Sequence, residues 1–198
     1  MVSGGVNIPL VELINAGIEI NGQRLSPGIT FNVTRGEFVC LHGPTGSGKS
    51  LALSMIAGIL RPTFGEVRVA GDCLNNFSER EMAIVRRSMG IMMQECLLLE
   101  NRSILENVML PSLAAEESYG KSRTAALNAL EKCGILELAD ERPHDLSAGQ
   151  KQIACVARAI VNNPLLVLAD EPCAHLDAEN AQHLMDLLGE VSLSNVSV

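Results

Sequence analysis

Gly43-Pro44-Thr45-Gly46-Ser47-Gly48-Lys49-Ser50 runs glycine, four residues of any type, then Gly-Lys-Ser, which is the spacing of a phosphate-binding loop. Its flanks supply the required order of strand, loop and helix. Glu37-Phe38-Val39-Cys40-Leu41-His42 reads as a buried strand, and Leu51 to Leu60 as the helix that follows. Glycines at 43, 46 and 48 leave the backbone free to curl, so that successive N–H groups face a phosphate resting on the helix N-terminus. Pro44, Thr45 and Ser47 complete the cradle. Lys49 is then expected to reach the β- and γ-phosphates. The Ser50 hydroxyl is expected among the few protein oxygens that Mg2+ accepts beside its waters.

Working outward, a length of 198 residues suits one domain with a core of its own. Apolar residues at 47% against 19% charged exclude a disordered chain. Aromatics at 3% and a net charge of −8 argue against nucleic acid as a partner, because it rewards stacking platforms and a basic face. Six cysteines, at 40, 73, 96, 133, 155 and 173, form no C-x-x-C pair and sit in apolar segments, so buried free thiols in a reducing cytosol are expected. Met1 to Gly5 has none of the features of a signal peptide, and no apolar run is long enough to span a bilayer. The expectation is a cytoplasmic protein that reaches a membrane only through a partner.

In chain order, Leu10 to Ile14 and Ile18 to Ile20 read as strands, with Asn21-Gly22 as a tight hairpin turn before Gln23-Arg24-Leu25. Ile29 to Val33 alternates as a further strand, so the chain opens with a small antiparallel sheet. Pro62 and Gly65 frame a turn ahead of a strand over Glu66 to Val69. Ser78 with Glu81 forms a capping box that opens a helix through Arg87. A strand through Ile91-Met92-Met93 leads to Gln94. From Glu95 to about Leu146 the pattern turns helical, with helices over Ile104 to Leu110 and Ser122 to Cys133 and Gly134 as the C-cap. A helix over Ala148 to Val161 stops at Asn162-Asn163-Pro164, and Leu165 to Ala169 follows as an apolar strand of the kind buried in a parallel sheet.

That strand ends in Asp170-Glu171. Open α/β sheets bind ligands at the carboxyl ends of their strands, which places both acidic groups beside the phosphate loop. Asp170 can then hold the Mg2+ shell, and Glu171 can polarise an attacking water as general base.

Taken with Leu146-Ser147-Ala148-Gly149-Gln150, these motifs resemble the ABC-transporter ATPases, and the resemblance covers essentially the whole chain. Gly43 to Ser50 matches the family's Walker A loop and Gln94 its Q-loop. Leu146 to Gln150 matches the signature, Leu165 to Glu171 the Walker B strand, and His175-Leu176-Asp177 the D-loop. In finer detail Arg86-Arg87, Glu106-Asn107-Val108 and Ala157 to Pro164 are similar to the branch that holds the cell-division ATPase FtsE and the lipoprotein-releasing and macrolide-export ATPases.

The resemblance implies an α/β P-loop NTPase fold with a mostly parallel core sheet, an N-terminal antiparallel β subdomain and a helical insert. It implies one ATP-binding domain over 1–198, with the α/β core at about 1–94 and 150–198 and the helical subdomain at about 95–149. The implied cofactors are ATP and Mg2+, the latter held by Ser50, Gln94 and Asp170. Glu171, Gln94 and Lys49 are the implied catalytic groups. Two copies would pair head to tail, with Ser147, Ala148, Gly149, Gln150 and Asp177 of one copy facing the nucleotide of the other. An FtsX-like or export permease would hold the dimer at the inner face of the cell membrane, docking beside Met93, Leu97 and Leu98. Ser147 also has the plain reading of a helix N-cap.

Three departures stand out. Ala148 occupies a position where the family usually has glycine, and adds one methyl. Ile20 stands at the adenine-stacking position, commonly aromatic, leaving apolar contact with the base. The chain ends at Asn195-Val196-Ser197-Val198, which resembles the start of the strand carrying the family's switch histidine, so the closing strands are expected to be missing and turnover to be slow. His42, His144, His175 and His183 lack the spacing of a metal site. Two other classes stay open on the residues alone: a P-loop kinase, which leaves Gln94 and the signature unexplained, and an ATP-sensing module with weak turnover.

Overall fold

Asn21 and Gly22 both adopt left-handed backbone conformations, with φ of 52° and 77°, and so close a two-residue turn of the kind hairpins favour. That turn joins β2 (Glu19–Ile20) to β3 (Gln23–Arg24), paired antiparallel. The computed structural model of the chain describes residues 8–94 and 97–198 and falls into two compact units.

The first unit runs to Arg86 and takes in Ser197. Its four-stranded antiparallel sheet has the order β4-β1-β5-β6, formed by β1 (Val11–Gly17), β4 (Ile29–Val33), β5 (Phe64–Val69) and β6 (Asp72–Cys73). Alternation in β1 sends Val11 and Leu13 inward, and α1 (Lys49–Ile56) covers that face with Ala52, Met55 and Ile56. The opening antiparallel sheet is therefore as expected. Gly65, expected in a turn, lies inside β5 opposite a bulge in β1 at Asn15, where the β1–β5 register shifts. α2 (Glu79–Arg87) starts at the expected capping box: Ser78 N–H and Oγ donate to the Glu81 carboxylate at 2.7 and 2.6 Å.

Residues 37–42 depart from expectation, for they form no strand and are not buried. Phe38 is 39% exposed and Cys40 is exposed. The apolar run Val39-Cys40-Leu41 records strand propensity, but a strand also needs a neighbour for its backbone groups. The unit's own sheet ends on β4 and β6. A turn intervenes directly after β4, held by Thr34 N–H and Oγ1 donating to the Glu37 carboxylate at 2.7 and 2.9 Å. Those bonds, the backbone one foremost, hold the Glu37 carboxyl below its usual range. Ser197, fully buried, closes the turn from the other side: its hydroxyl accepts from Gly36 N–H at 2.9 Å and donates to Thr34 C=O at 3.1 Å.

The second unit holds Arg87–Val196 and Val198. Its strands β7 (Met89–Met92) and β8 (Leu166–Ala169) are parallel, with Met92 opposite Ala169. This is the parallel ladder among the described residues. Around it lie α3 (Ile104–Ala114), α4 (Tyr119–Lys132), α5 (Ala148–Ile160) and α6 (Ala178–Leu193), which share one core including Ile104, Val108, Leu130, Val156, Leu184 and Leu188. α3 continues past Pro111, where the sequence pointed to a stop at Leu110; so near the helix end proline disturbs little, and Ala115 N–H still bonds the Pro111 carbonyl.

Asn107 of α3 is fully buried and carries an unusual share of bonds. It accepts from Leu99 N–H at 2.7 Å and donates to the carbonyls of Leu99 and Ser103 at 3.1 and 2.9 Å. The side chain thus fastens the loop at 97–103 onto α3. Asn107→Ala removes these partners and leaves a small void, which together should cost about 2–3 kcal/mol. In a domain of this size the melting temperature should fall by roughly 5–10 °C, read by circular dichroism against the unaltered chain. A shift within 1–2 °C would show that water replaces the amide without loss.

The thiols are mixed in environment. Cys133 is buried and its pKa is pushed up to about 12 by desolvation, and Cys173 is raised for the same reason. Cys73 is half-buried. Against the expectation of free thiols throughout, Cys155 on α5 is disulfide-bonded. Sequence spacing cannot show such a link, because a disulfide is set by the spacing and direction of Cα and Cβ atoms in the fold. Cys96 lies outside the described residues.

Candidate functional site

The loop at 43–50 has the conformation its glycines were expected to allow. Gly46 and Gly48 sit at φ of 82° and 94°, and Gly48 is the N-cap of α1. The loop is drawn in by its own lysine, for Lys49 Nζ donates to the carbonyls of Gly43 and Pro44 at 2.8 and 3.0 Å. Ser47 N–H bonds Pro44 C=O at 3.2 Å, while Ser47 Oγ is buried and without a hydrogen-bond partner among the described residues. A helix N-terminus, an ammonium and an orphaned hydroxyl converge on one small loop, and all three are groups that an oxyanion satisfies. Ser26 packs under Gly48 and also has a buried, unpartnered hydroxyl. The sequence reading missed it, since a serine before a proline signals only a turn. Ile20 is 53% exposed at the tip strand β2, where it offers an open apolar surface.

In the second unit the acidic pair lies where the apolar strand was expected to deliver it. Asp170 follows β8, is 5% exposed, and its N–H bonds Met92 C=O of β7 at 2.8 Å. Glu171 is exposed and left-handed, with φ of 48°. Gln94 stands beside it: Gln94 Nε2 donates to Glu171 Oε2 at 3.0 Å. The register explains this meeting, since Met92 pairs with Ala169 and each of the two residues lies two positions further on. Asp170 and the amide oxygen of Gln94 are hard oxygen donors of the type Mg2+ takes, so the residues fit that ion.

Ser147 caps α5, accepting from Gln150 N–H at 3.2 Å, and Gln150 Oε1 accepts from Ser147 N–H at 2.9 Å. The plain reading of Ser147 is therefore correct. Both Ser147 and Ala148 remain exposed, at the positive end of the α5 dipole. Gly149 is buried against Asn180 of α6, and a Cβ there would come within 2.5 Å of Asn180 Oδ1. Asn180 in turn donates from its N–H and Nδ2 to Asp177, the N-cap of α6, at 2.9 and 2.7 Å. These two bonds hold the Asp177 carboxyl below its usual range. Signature and D-loop residues are thus joined through Asn180, which sequence spacing could not indicate.

Leu97 is 65% exposed and Leu99 46%, but Leu98 is 8% exposed and belongs to the core. Leu98 is therefore no docking residue; neighbours in an extended loop face opposite ways, and the sequence could not say which. A cleft of about 310 Å3 between α4 and the end of α5, lined by Asn128, Lys132 and Asn163 among others, holds none of the expected site residues.

A glycine loop braced by its own lysine, and a strand that ends in a buried carboxylate followed by a second one bonded to a glutamine, define a nucleotide-handling α/β protein. Residues 27–174 match the family model described as ABC transporter. The chain belongs to the ABC transporter family as its ATP-binding cassette, an ATPase. It is 40% identical over 185 residues to a Mycobacterium tuberculosis protein described as an uncharacterized ABC transporter ATP-binding protein, covering 91% of this chain and 75% of that one. It is 35% identical over 179 residues to the cell division ATP-binding protein FtsE of Escherichia coli strain K12, covering 90% and 81%. Among solved structures it is similar to the dimeric ATP-binding cassette MJ0796 in a post-hydrolysis state with ADP and Pi, with TM-score 0.84, 32% identity and coverage of 95% and 85%. It is also similar to cbiO1 of Clostridium perfringens, part of the ABC transporter complex cbiONQ, with TM-score 0.86, 27% identity and coverage of 96% and 76%.

Proposed function

We propose that the chain is the ATP-hydrolysing subunit of an FtsE-type membrane complex, working as one ABC domain in a head-to-tail homodimer on a separate permease. The observation that carries the enzymatic part is the register-matched pair Gln94 and Glu171 beside the buried Asp170. In this reading Gly43 to Ser50 bind the triphosphate and Ile20 contacts the base. Ser50, Gln94 and Asp170 would hold Mg2+, which would neutralise phosphate charge. Glu171 takes the proton of the attacking water. Ser147, Ala148, Gly149, Gln150 and Asp177 face the partner copy's nucleotide.

The FtsE branch is supported by 35% identity across four-fifths of that protein, and dimerisation by the dimeric MJ0796 structures. Among the described residues no helix is long and apolar enough to cross a membrane, which favours a peripheral place on the inner face through an FtsX-like partner. The exposed Leu97 and Leu99 are the contact surface we assign to that partner. A lipoprotein-releasing or export ATPase is the second reading, left open because the relative at 40% identity carries no stated branch.

The enzymatic reading is tested by phosphate release from ATP with and without Mg2+, alongside light scattering. Mg2+-dependent release and an ATP-dependent rise in mass towards a dimer are expected. Co-purification of membrane-embedded FtsX, but not of an export permease, with the tagged chain decides the branch. No release and no ATP binding at millimolar nucleotide would contradict the enzyme; capture of the export permease alone would contradict the FtsE assignment.

A further inference from the structure

We propose that Glu171 and Gln94 position one another, so that the general base sets which way the glutamine amide faces. This rests on the roles assigned above and adds a direct contact between two of them. An ionised carboxylate can only accept hydrogen bonds, so the amide must turn its NH2 to Glu171. The amide oxygen then faces the other way, free to meet a hard cation. One side chain thereby holds the base and presents a metal ligand.

Three features of the backbone make the contact reproducible. Gln94 and Glu171 follow adjacent parallel strands at equivalent distances from the Met92–Ala169 pair. Asp170 N–H is tied across to Met92 C=O at 2.8 Å, so the two chain ends leave the sheet together. Glu171 sits in the left-handed region, at φ of 48°, where a residue with a side chain is held only by its surroundings. Here the turn bond from Ala174 N–H to Glu171 C=O at 2.9 Å contributes from behind, and Gln94 from in front. A little beyond Gln94, Arg158 of α5 donates to the Leu97 carbonyl at 2.5 Å, which fixes the chain on the far side of that glutamine.

Both side chains are exposed, so alanine at either position leaves the fold intact and each can be tested alone. In the nucleotide-free chain with 15N-labelled glutamine, the Gln94 side-chain signal is identified by its loss in Gln94→Ala. Its two protons should be separated more widely in the unaltered chain than in Glu171→Ala, where the separation should return to that of a free primary amide. Identical Gln94 signals in the two proteins overturn the contact, whatever the chain does with nucleotide.

The second measurement is the gain in ATP affinity on adding Mg2+, taken as the ratio of the dissociation constants in EDTA and in Mg2+. Each single alanine variant should lose about three- to fivefold of that gain, as for one solvent-exposed, charge-assisted contact. The double variant should lose little more than either, because the two residues act as a unit. Losses that multiply in the double variant would show independent action and overturn mutual positioning. Absence of ATP binding in the unaltered chain, with the Gln94 signal still dependent on Glu171, would sink the enzymatic reading and the ligand-presenting half of this inference, and leave the contact standing.

Discussion

Lys49→Ala should weaken Mg-ATP binding at least a hundredfold while leaving the fold in place. The ammonium has two tasks, and alanine loses both. Without nucleotide, Lys49 Nζ bonds the Gly43 and Pro44 carbonyls and so keeps the loop curled around the α1 N-terminus. With nucleotide, the same charge is proposed to meet phosphate oxygens, and charge-assisted bonds of this kind are roughly twice as strong as neutral ones. Loss of about 3 kcal/mol corresponds to more than a hundredfold in affinity. The fold should survive, because the inward face of α1 is carried by Ala52, Met55 and Ile56. Calorimetric titration of Mg-ATP, with a melting curve on the same sample, separates the two effects. Unchanged affinity in a folded variant would remove Gly43 to Ser50 from the binding site.

The sequence made the local features legible, and the reason is that each rests on a few neighbouring residues. Asn21-Gly22, the Ser78–Glu81 box and the Ser147 cap all depend on contacts within three residues, and all are present. The same holds for the glycines of the phosphate loop. Contacts between distant residues were not legible. The 37–42 segment has the composition of a strand, yet composition does not supply a neighbouring ladder. Leu97-Leu98-Leu99 reads as three equal leucines, but only Leu98 enters the core, because the Asn107 clamp on Leu99 sets how the loop lies. The Asn180 link between Gly149 and Asp177 and the Cys155 disulfide have no trace in spacing. Gln94 and Glu171 were each assigned to the chemistry separately, and it is the β7–β8 register that brings them within 3.0 Å.

Glu171→Gln should lower steady-state ATP hydrolysis by about a thousandfold, within the range for loss of a general base, and leave ATP affinity nearly unchanged. Glutamine keeps the size of the side chain and an oxygen that can accept from Gln94 Nε2, so the contact at 3.0 Å is retained in kind. It also keeps the left-handed backbone, held by the Ala174 bond and by the strand end behind it. What is lost is the negative charge that, in the proposed mechanism, takes a proton from water. Binding and chemistry then separate: Lys49, in the other unit, is untouched, and Asp170 stays buried at the end of β8. Because hydrolysis is the step that ends the ATP-bound state, slowing it should let a dimer accumulate with Mg-ATP and dissociate as nucleotide is removed. Phosphate release and concentration-dependent light scattering measure both consequences on one preparation. Normal turnover would show that another group accepts the proton, and slow turnover without a dimer would show that closure between two copies does not depend on retained ATP.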